Sequence, residues 1–537
     1  MHPSLISSED MERYIAAGHW SRDTLVDCYR SYAVEFPNRI AIRDSSTSYT
    51  WSELDVVTNR FAIYLVTLGL KRDSTALVQT ASTCREIIIR VAFKKAGIIG
   101  AFVPVQWRRR ELDYVFNQIN PSLVVMVEAT LTPEDSKWLD NVVARAPDEI
   151  HQINLSDMPS MDHICNIDQR QSPCTLEELT TIQNRQFTDG EVSLITVSSG
   201  TSGLAKLCEW PEGAQLCASR AQQEKMQIKE DDIVGVFAPM SGAAGLVVWL
   251  VSATTPCTYV FPETYNPAEL LSLVEELKIS VGTTVPVILA RFVQQDLSLY
   301  QLGSLRVLRV GTAATDLAVA RSFEEHTNCN VLLAAGSMEV PGFAHAHVNE
   351  PKYLRFNGSI GLPLRGADLR IEDEHGRLLE PGSYGELKVS APYASSGYWN
   401  DREGNASAWS GRWYVTGDLG ILDGDGRLTL VGRKKETINR SGMKILPTEV
   451  EQEICNHPNV LECAVIAATD PQYGEVPWAF VQMRPGRALN NHAIVAMLRN
   501  TGLAEYKIPV RFVQLSELPR VNDNKIDKIS LKEMAAR

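Results

Sequence analysis

Up to Gly190, amphipathic helical stretches alternate with short β-branched runs, the texture of helices layered on a parallel sheet. Glu86–Gly97 reads as a helix. Ala101–Val105 reads as a buried strand, and Pro121–Val127, with LVVMV inside it, as another. Residues 150–190 are polar and weakly patterned, so they read as a surface excursion. Leu194–Val197 is a short apolar strand feeding a Ser/Gly-rich loop. Val234–Ala238 and Val281–Val285 are further strands. The most apolar stretch, Gly245–Phe261, is broken by Ser252, Thr254, Thr255 and Pro256, and reads as a buried helix, turn and strand rather than a membrane span.

Past residue 350 the texture changes. Short runs at Gly385–Val389, Arg412–Thr416 and Leu428–Val431, separated by Gly, Asp and Asn, predict a small antiparallel β region. The last segment contains a helix at Glu449–Cys455, strands at Val460–Ala467 and Trp478–Met483, and a helix at Asn491–Asn500. It is long enough to form its own domain. The expected chain is therefore α/β. A large N-terminal domain of layered α/β subdomains plus the antiparallel region spans 1–433, and a small α+β domain spans 434–537.

Composition narrows the function. At 537 residues the chain exceeds one compact core. With 44% hydrophobic and 22% charged residues it is an ordinary globular protein. A net charge of −13 argues against nucleic acid or an anionic membrane as the main partner, while leaving room for a local basic pocket. The 10 cysteines form no CxxC pair and no cluster with His, so free thiols in a reducing compartment are expected rather than zinc. The start, MHPSLISSEDMERY, lacks the basic and apolar regions of a secretion signal, which points to the cytoplasm.

Four motifs carry candidate chemistry. The first is Ser198-Ser199-Gly200-Thr201-Ser202-Gly203-Leu204-Ala205-Lys206 after a strand. Glycines free backbone N–H groups to face a ligand, hydroxyls add donors and the lysine adds charge, as a polyphosphate requires. The spacing is not that of a Walker loop. A flexible linker reads equally well. An amidase loop with a serine nucleophile is a minor rival, since it needs an upstream lysine and Lys94 and Lys95 sit on a helical stretch with no supporting motif. The second is Trp413-Tyr414-Val415-Thr416-Gly417-Asp418-Leu419-Gly420, where Asp418 could accept from two ribose hydroxyls, or simply close a hairpin. The third runs from Gly432-Arg433-Lys434-Lys435 to Lys444-Ile445, and alone reads as a solvated charge run. The fourth, Pro519-Arg520-Val521-Asn522-Asp523-Asn524-Lys525, alone reads as a polar tail.

In this order and spacing the four motifs are similar to those of the adenylate-forming superfamily: acyl-CoA synthetases, luciferases and peptide-synthetase adenylation domains. Lys95-Ala96-Gly97, Val103-Pro104, Gly311-Thr312-Ala313-Ala314, Gly336-Ser337-Met338-Glu339, Gly361-Leu362-Pro363 and Gly385-Glu386-Leu387 extend the resemblance over nearly the whole chain. Glu12-Arg13-Tyr14-Ile15-Ala16-Ala17-Gly18-His19-Trp20 and Ile438-Asn439-Arg440-Ser441-Gly442-Met443-Lys444-Ile445 most resemble stand-alone aryl-acid AMP ligases and aryl-CoA ligases.

The resemblance implies that a carboxylate attacks the α-phosphate of MgATP and that a thiol then displaces AMP. It implies that the 198–206 loop, Lys206 included, holds phosphates and that Gly336, Ser337 and Met338 lie at the nucleotide. Glu339 would hold Mg²⁺, while Asp418 and Arg433 meet ribose or phosphate. Lys525 would bridge carboxylate and α-phosphate. It further implies that the small domain is mobile about Lys435, which brings Ser441 and Gly442 to the thiol channel, and that Ser241, Gly242, Ala243, Gly311 and Thr312 line the acid site. The thiol is CoA or the phosphopantetheine of a separate carrier protein. An amine acceptor giving an amide is the alternative, and a homodimer is compatible with the sequence. Ala335 stands where the family usually has an aromatic residue and Met338 replaces a Thr, Ser or Ala, which puts adenine stacking and a threonine hydroxyl contact in doubt; Ala205 replaces a proline and Asn524 a glycine, and the phosphate loop and Lys525 are kept. Catechol-activating relatives carry His-Asn where this chain has Gly242-Ala243, so an apolar pocket, wider or deeper than a catechol acid needs, is expected.

Overall fold

The computed structural model describes residues 6–126, 132–145, 150–154, 174–198, 205–521 and 525–536. The chain divides into two compact units, Met1–Asp368 with Val389–Tyr414, and Leu369–Lys388 with Val415–Arg537.

Two sheets organise the first unit. The larger has nine strands in the order Leu362–Pro363, Ala344–His345, Asn330–Ala335, Val307–Gly311, Val281–Thr284, Ile233–Val236, Thr258–Val260, Ile40–Arg43, Ser48–Thr50. Its six central strands are parallel. The smaller has six strands in the order His151–Asn154, Leu123–Met126, Thr75–Gln79, Ile99–Val103, Val192–Ser198, Lys206–Pro211. All run parallel except the last. Parallel strands covered on both faces read as continuous apolar runs, which is why LVVM and VSLITV stood out.

Helices start where their caps dictate. Thr24 and Asp27 close a capping box ahead of Leu25–Glu35, and Thr50 and Glu53 close another ahead of Trp51–Thr67. The expected 86–97 helix is Cys84–Ala96, stopped by Gly97 at φ +70°. The apolar 245–261 stretch is helix Ala243–Leu250, a 3₁₀ turn and strand Thr258–Val260. Among the described residues no helix is long and apolar enough to cross a membrane.

The 150–190 segment is more than an excursion. It holds the edge strand His151–Asn154 and helix Leu176–Gln183, whose Thr175–Glu178 capping box is legible in the sequence. Residues 155–173 lie outside the described ones.

In the second unit, strands Trp413–Leu422 and Leu428–Arg433 pair antiparallel, and Tyr384–Ser390 lies beside the first of them. Beyond them, Met443–Ile445, Ile438–Arg440, Gly474–Met483 and Val460–Asp470 form an antiparallel sheet, and Arg511–Leu515 joins it in parallel. Helices Pro447–Cys455 and Asn491–Asn500 close a core that includes Val450, Ile454, Val465, Val481, Ile494 and Leu498. The boundary expected after residue 433 is not where the compact units divide, because the antiparallel strands before it cluster with the second unit.

Candidate active site

In open parallel sheets, ligands sit outside the carboxyl ends of the strands, and the candidate residues of the first unit gather there. Ser198 ends one strand and Lys206 begins the antiparallel return, paired with it in register. Residues 199–204, and so Ser199, Gly200, Thr201, Ser202 and Gly203, lie outside the described ones. Lys206 Nζ donates to the Tyr398 hydroxyl at 3.1 Å and lies 4.5 Å from that ring's centre. The hydroxyl in turn donates to Glu339 Oε1 at 2.8 Å. Lys206, expected at phosphate, and Glu339, expected at the metal, are thus joined through one tyrosine.

Sequence reasoning missed Tyr398. Its only signal was an aromatic pair, Tyr398-Trp399, after Gly397, which reads as core. Tyr414 was quoted only as part of the Asp418 motif, yet its buried phenol feels the Glu339 charge. Burial and then the Glu339 charge push both phenols well above the ordinary tyrosine range, so both stay protonated donors.

Gly336 needs to be glycine, since a Cβ there would collide with the Gly342 backbone nitrogen. Ser337 N–H donates to the Val340 carbonyl at 3.1 Å and Val340 N–H returns to Ser337 Oγ at 3.2 Å, a tight turn that sets Glu339 at its rim. Ala335 and Met338 are buried, and neither brings an aromatic face.

The acid-site candidates lie on the larger sheet. Gly242 caps helix Ala243–Leu250, and its N–H donates to the Pro239 carbonyl at 3.0 Å. At Gly245 a Cβ would stand 2.5 Å from the Ala238 and Pro239 carbonyl oxygens, so the helix can approach the strand end only as glycine. Thr312, just past strand Val307–Gly311, has φ +83°, a strained value for a β-branched residue and a mark of ligand sites. Polar side chains also lie on the sheet face under helix Ala243–Leu250. Thr283 Oγ1 donates to the Ala244 carbonyl at 3.3 Å, and Thr283 pairs in register with Arg309 on the next parallel strand. Arg309 therefore shares the face this helix covers.

Within the second unit, Asp418 and Arg433 are cross-strand partners joined Oδ1 to Nε at 2.6 Å. Asp418 N–H donates to Thr416 Oγ1 at 2.9 Å, and that hydroxyl donates to the Leu387 carbonyl at 2.8 Å. The result is a fixed carboxylate beside a guanidinium, acceptors next to donors. Lys435 is exposed in the 3₁₀ turn Lys434–Glu436. Ser441 and Gly442, at φ +50° and +90°, form the exposed two-residue turn between strands Ile438–Arg440 and Met443–Ile445. Lys525 opens the two-residue strand paired with Arg520–Val521, and its side chain lies outside the described residues.

The amidase alternative loses its bases. Lys94 pairs with Glu212 and donates to Ser193 Oγ and Gln215 Oε1, both at 2.8 Å. Lys95 pairs with Asp55 at 2.7 Å. Both ammonium groups are buried and committed to these partners, so neither is free to serve a loop serine; burial pulls both below the ordinary lysine range although Glu212 and Asp55 act in the opposite direction. Among the described residues no set of three His, Cys, Asp or Glu could hold a metal ion, so Glu339 would need phosphate or water as co-ligands.

Comparison with known proteins agrees with this geometry. The chain is 26% identical over 533 residues to the 2,3-dihydroxybenzoate-AMP ligase of Bacillus subtilis, covering 97% of this chain and 95% of that one. It is 26% identical over 543 residues to the medium-chain fatty-acid–CoA ligase of Escherichia coli, covering 97% and 92%. The fold matches an anthranilate CoA ligase solved with anthranoyl-AMP at TM-score 0.85 and 20% identity, over 96% of this chain and 97% of that one. The AMP-binding enzyme C-terminal domain model matches residues 449–525. Because the AMP-binding enzyme model matches residues 29–399, well over half of the sequence, this chain belongs to the AMP-binding enzyme family and is an acyl-adenylate-forming ligase.

Proposed function

We propose that this chain activates an aryl or cyclic carboxylic acid as its acyl-adenylate, releasing pyrophosphate, and then passes the acyl group to a thiol, either CoA or the phosphopantetheine of a separate carrier protein. The observation that carries the reading is the Lys206–Tyr398–Glu339 chain, with Lys206 paired in register with Ser198. A cation, a neutral phenol donor and a buried carboxylate in line suit a polyphosphate with its divalent ion. Neutralising phosphate charge and aligning the acid are what adenylation demands of a protein, since no protein nucleophile is required.

In this reading Lys206 and the loop bind the phosphates, and Glu339 offers Mg²⁺ a hard oxygen. Asp418 accepts from the ribose hydroxyls, with Arg433 fixing its orientation. Lys525 stabilises the charge that builds as carboxylate meets α-phosphate. Lys435 is the hinge, and the Ser441-Gly442 turn borders the thiol path. The aryl class rests on Gly242-Ala243, which lack the side chains that read a catechol hydroxyl in relatives, and on the likeness to ligases named for aromatic acids.

ATP–pyrophosphate exchange across a panel of aryl, cyclic and linear acids tests the reading. Acid-dependent exchange supports it, and absence of exchange with every acid refutes it. Product analysis with CoA, a phosphopantetheinylated carrier and free amines then identifies the acceptor.

A further inference from the structure

Arg309 lies in the middle of the larger sheet with only 4% of its surface exposed. Among the described residues, its Nε and Nη1 have no hydrogen-bond partner. Burial alone pulls its pKa down, to about 10, and no carboxylate offsets that effect, so it remains a cation at neutral pH. A buried, uncompensated charge is heavily destabilising, and proteins keep one only where something pairs with it.

The surroundings define what that is. In-register pairing places Arg309 beside Thr283, on the face covered by helix Ala243–Leu250. A Cβ on Gly311 would stand 3.4 Å from Arg309 Nη1, so the guanidinium reaches along the strand toward its carboxyl end, where Gly311 and Thr312 open the acid site. Among the described residues, two further buried side chains leave polar atoms unpaired. His345 Nε2 has no partner, while Nδ1 donates to the Ala346 carbonyl. Burial, reinforced by the Arg309 charge, holds that imidazole neutral. Gln222 has neither amide atom paired, and its side chain fills the space a Cβ at Gly342 would take. Cation and neutral imidazole thus share one face of the sheet, and among the described residues no acidic side chain pairs with the cation.

We infer that Arg309 receives a second carboxylate on the acid being activated, so that the substrate is an aryl or cyclic dicarboxylic acid. One carboxylate reacts at the strand ends and the other lies deeper, against Arg309. This rests on the adenylation reading above and narrows its substrate class. A guanidinium binds a carboxylate through two parallel N–H···O bonds, which a methyl group of similar size cannot replace. A monoacid would leave the cation unpaired, and sites built around a buried polar group reject analogues lacking its partner strongly.

The test compares ortho, meta and para benzenedicarboxylic and cyclohexanedicarboxylic acids with their methyl counterparts, such as phthalic against o-toluic acid. ATP–pyrophosphate exchange and the Tm shift on acid binding are both measured, in the wild type and in Arg309→Met. At least one diacid should be preferred over its methyl counterpart by about 10²-fold or more in kcat/KM. Arg309→Met should fold, with Tm equal to or above wild type, and should reverse that preference. Preference for the methyl acids in the wild type, with a ratio unchanged by Arg309→Met, overturns the assignment while leaving adenylation intact. If no acid supports exchange but a diacid raises Tm only when Arg309 is present, adenylation falls and the anion site stands. No exchange together with no Arg309-dependent shift overturns both.

Discussion

Tyr398→Phe isolates a single hydroxyl. The ring is buried at 1% exposure, and phenylalanine keeps its shape, so packing is retained. Two hydrogen bonds disappear: the 2.8 Å donation to Glu339 and the 3.1 Å acceptance from Lys206. Glu339 is 4% exposed, so the lost donor belongs to a desolvated carboxylate. Hydrogen bonds to charged groups contribute about 1.5–3 kcal/mol. If the phenol orients Lys206 and Glu339 for catalysis, that loss falls on the transition state and kcat/KM for exchange drops roughly 10- to 100-fold, at about 1.4 kcal/mol per decade. Exchange should be read with saturating and limiting ATP, beside a Tm measurement to confirm folding. A cycle with Glu339→Gln adds the decisive quantity, because residues sharing one network do not add. Near-wild-type exchange in folded Tyr398→Phe, or strictly additive losses in the double variant, would refute the reasoning.

Lys525→Ala should lower exchange by about 10²–10³-fold while ATP still binds, since a fixed cation between two anions acts mainly in the transition state. Exchange near wild type would remove Lys525 from the mechanism. Lys435→Pro fixes φ and restricts Lys434 before it, so adenylation and thiol transfer, assayed separately, should fall unequally, and equal losses in a folded variant speak against the hinge. Gly336→Ala forces backbone apart from Gly342, so Tm should fall by the equivalent of about 1–3 kcal/mol or more, with ATP affinity falling alongside. Burial raises the phenols of Tyr259, Tyr393, Tyr398 and Tyr414 above their unfolded range. Their contribution is therefore complete below about pH 10 and lost as pH rises beyond it, where only the unfolded phenols ionise. A Tm that stays flat through pH 10 to 11 contradicts this.

Much of the fold was legible because its parallel strands are buried on both faces and announce themselves as apolar runs. Thr175-Leu-Glu-Glu178 should have betrayed the helix at Leu176–Gln183, since a capping box is a local signal, but the polar stretch around it masked the pattern. Glu339 and Lys206 are proposed as site residues through motif order. Tyr398 is not, because its role arises from three chain segments 192 and 59 residues apart meeting at one hydroxyl, and no local period records that. Arg309 was invisible for a related reason: in LRVLRVG it alternates with apolar residues as any half-exposed strand residue would. Only the sheet register shows that its face is covered by a helix.

The second unit also shows why the hinge proposal and the Lys525 proposal are linked. Lys528, three residues after Lys525, pairs through Nζ with Glu436 at 2.8 Å and Glu451 at 2.9 Å. Glu436 immediately follows Lys435, and Glu451 lies on helix Pro447–Cys455. Burial lowers the Lys528 pKa, but the two carboxylates outweigh it and the net shift is upward, so the ammonium stays charged across the neutral range. One cation therefore ties the segment carrying Lys525 to the turn proposed as hinge and to a core helix. A backbone change at Lys435 need not be relayed through a flexible tail to reach Lys525, because Lys528 makes the two ends of this 92-residue span parts of one body.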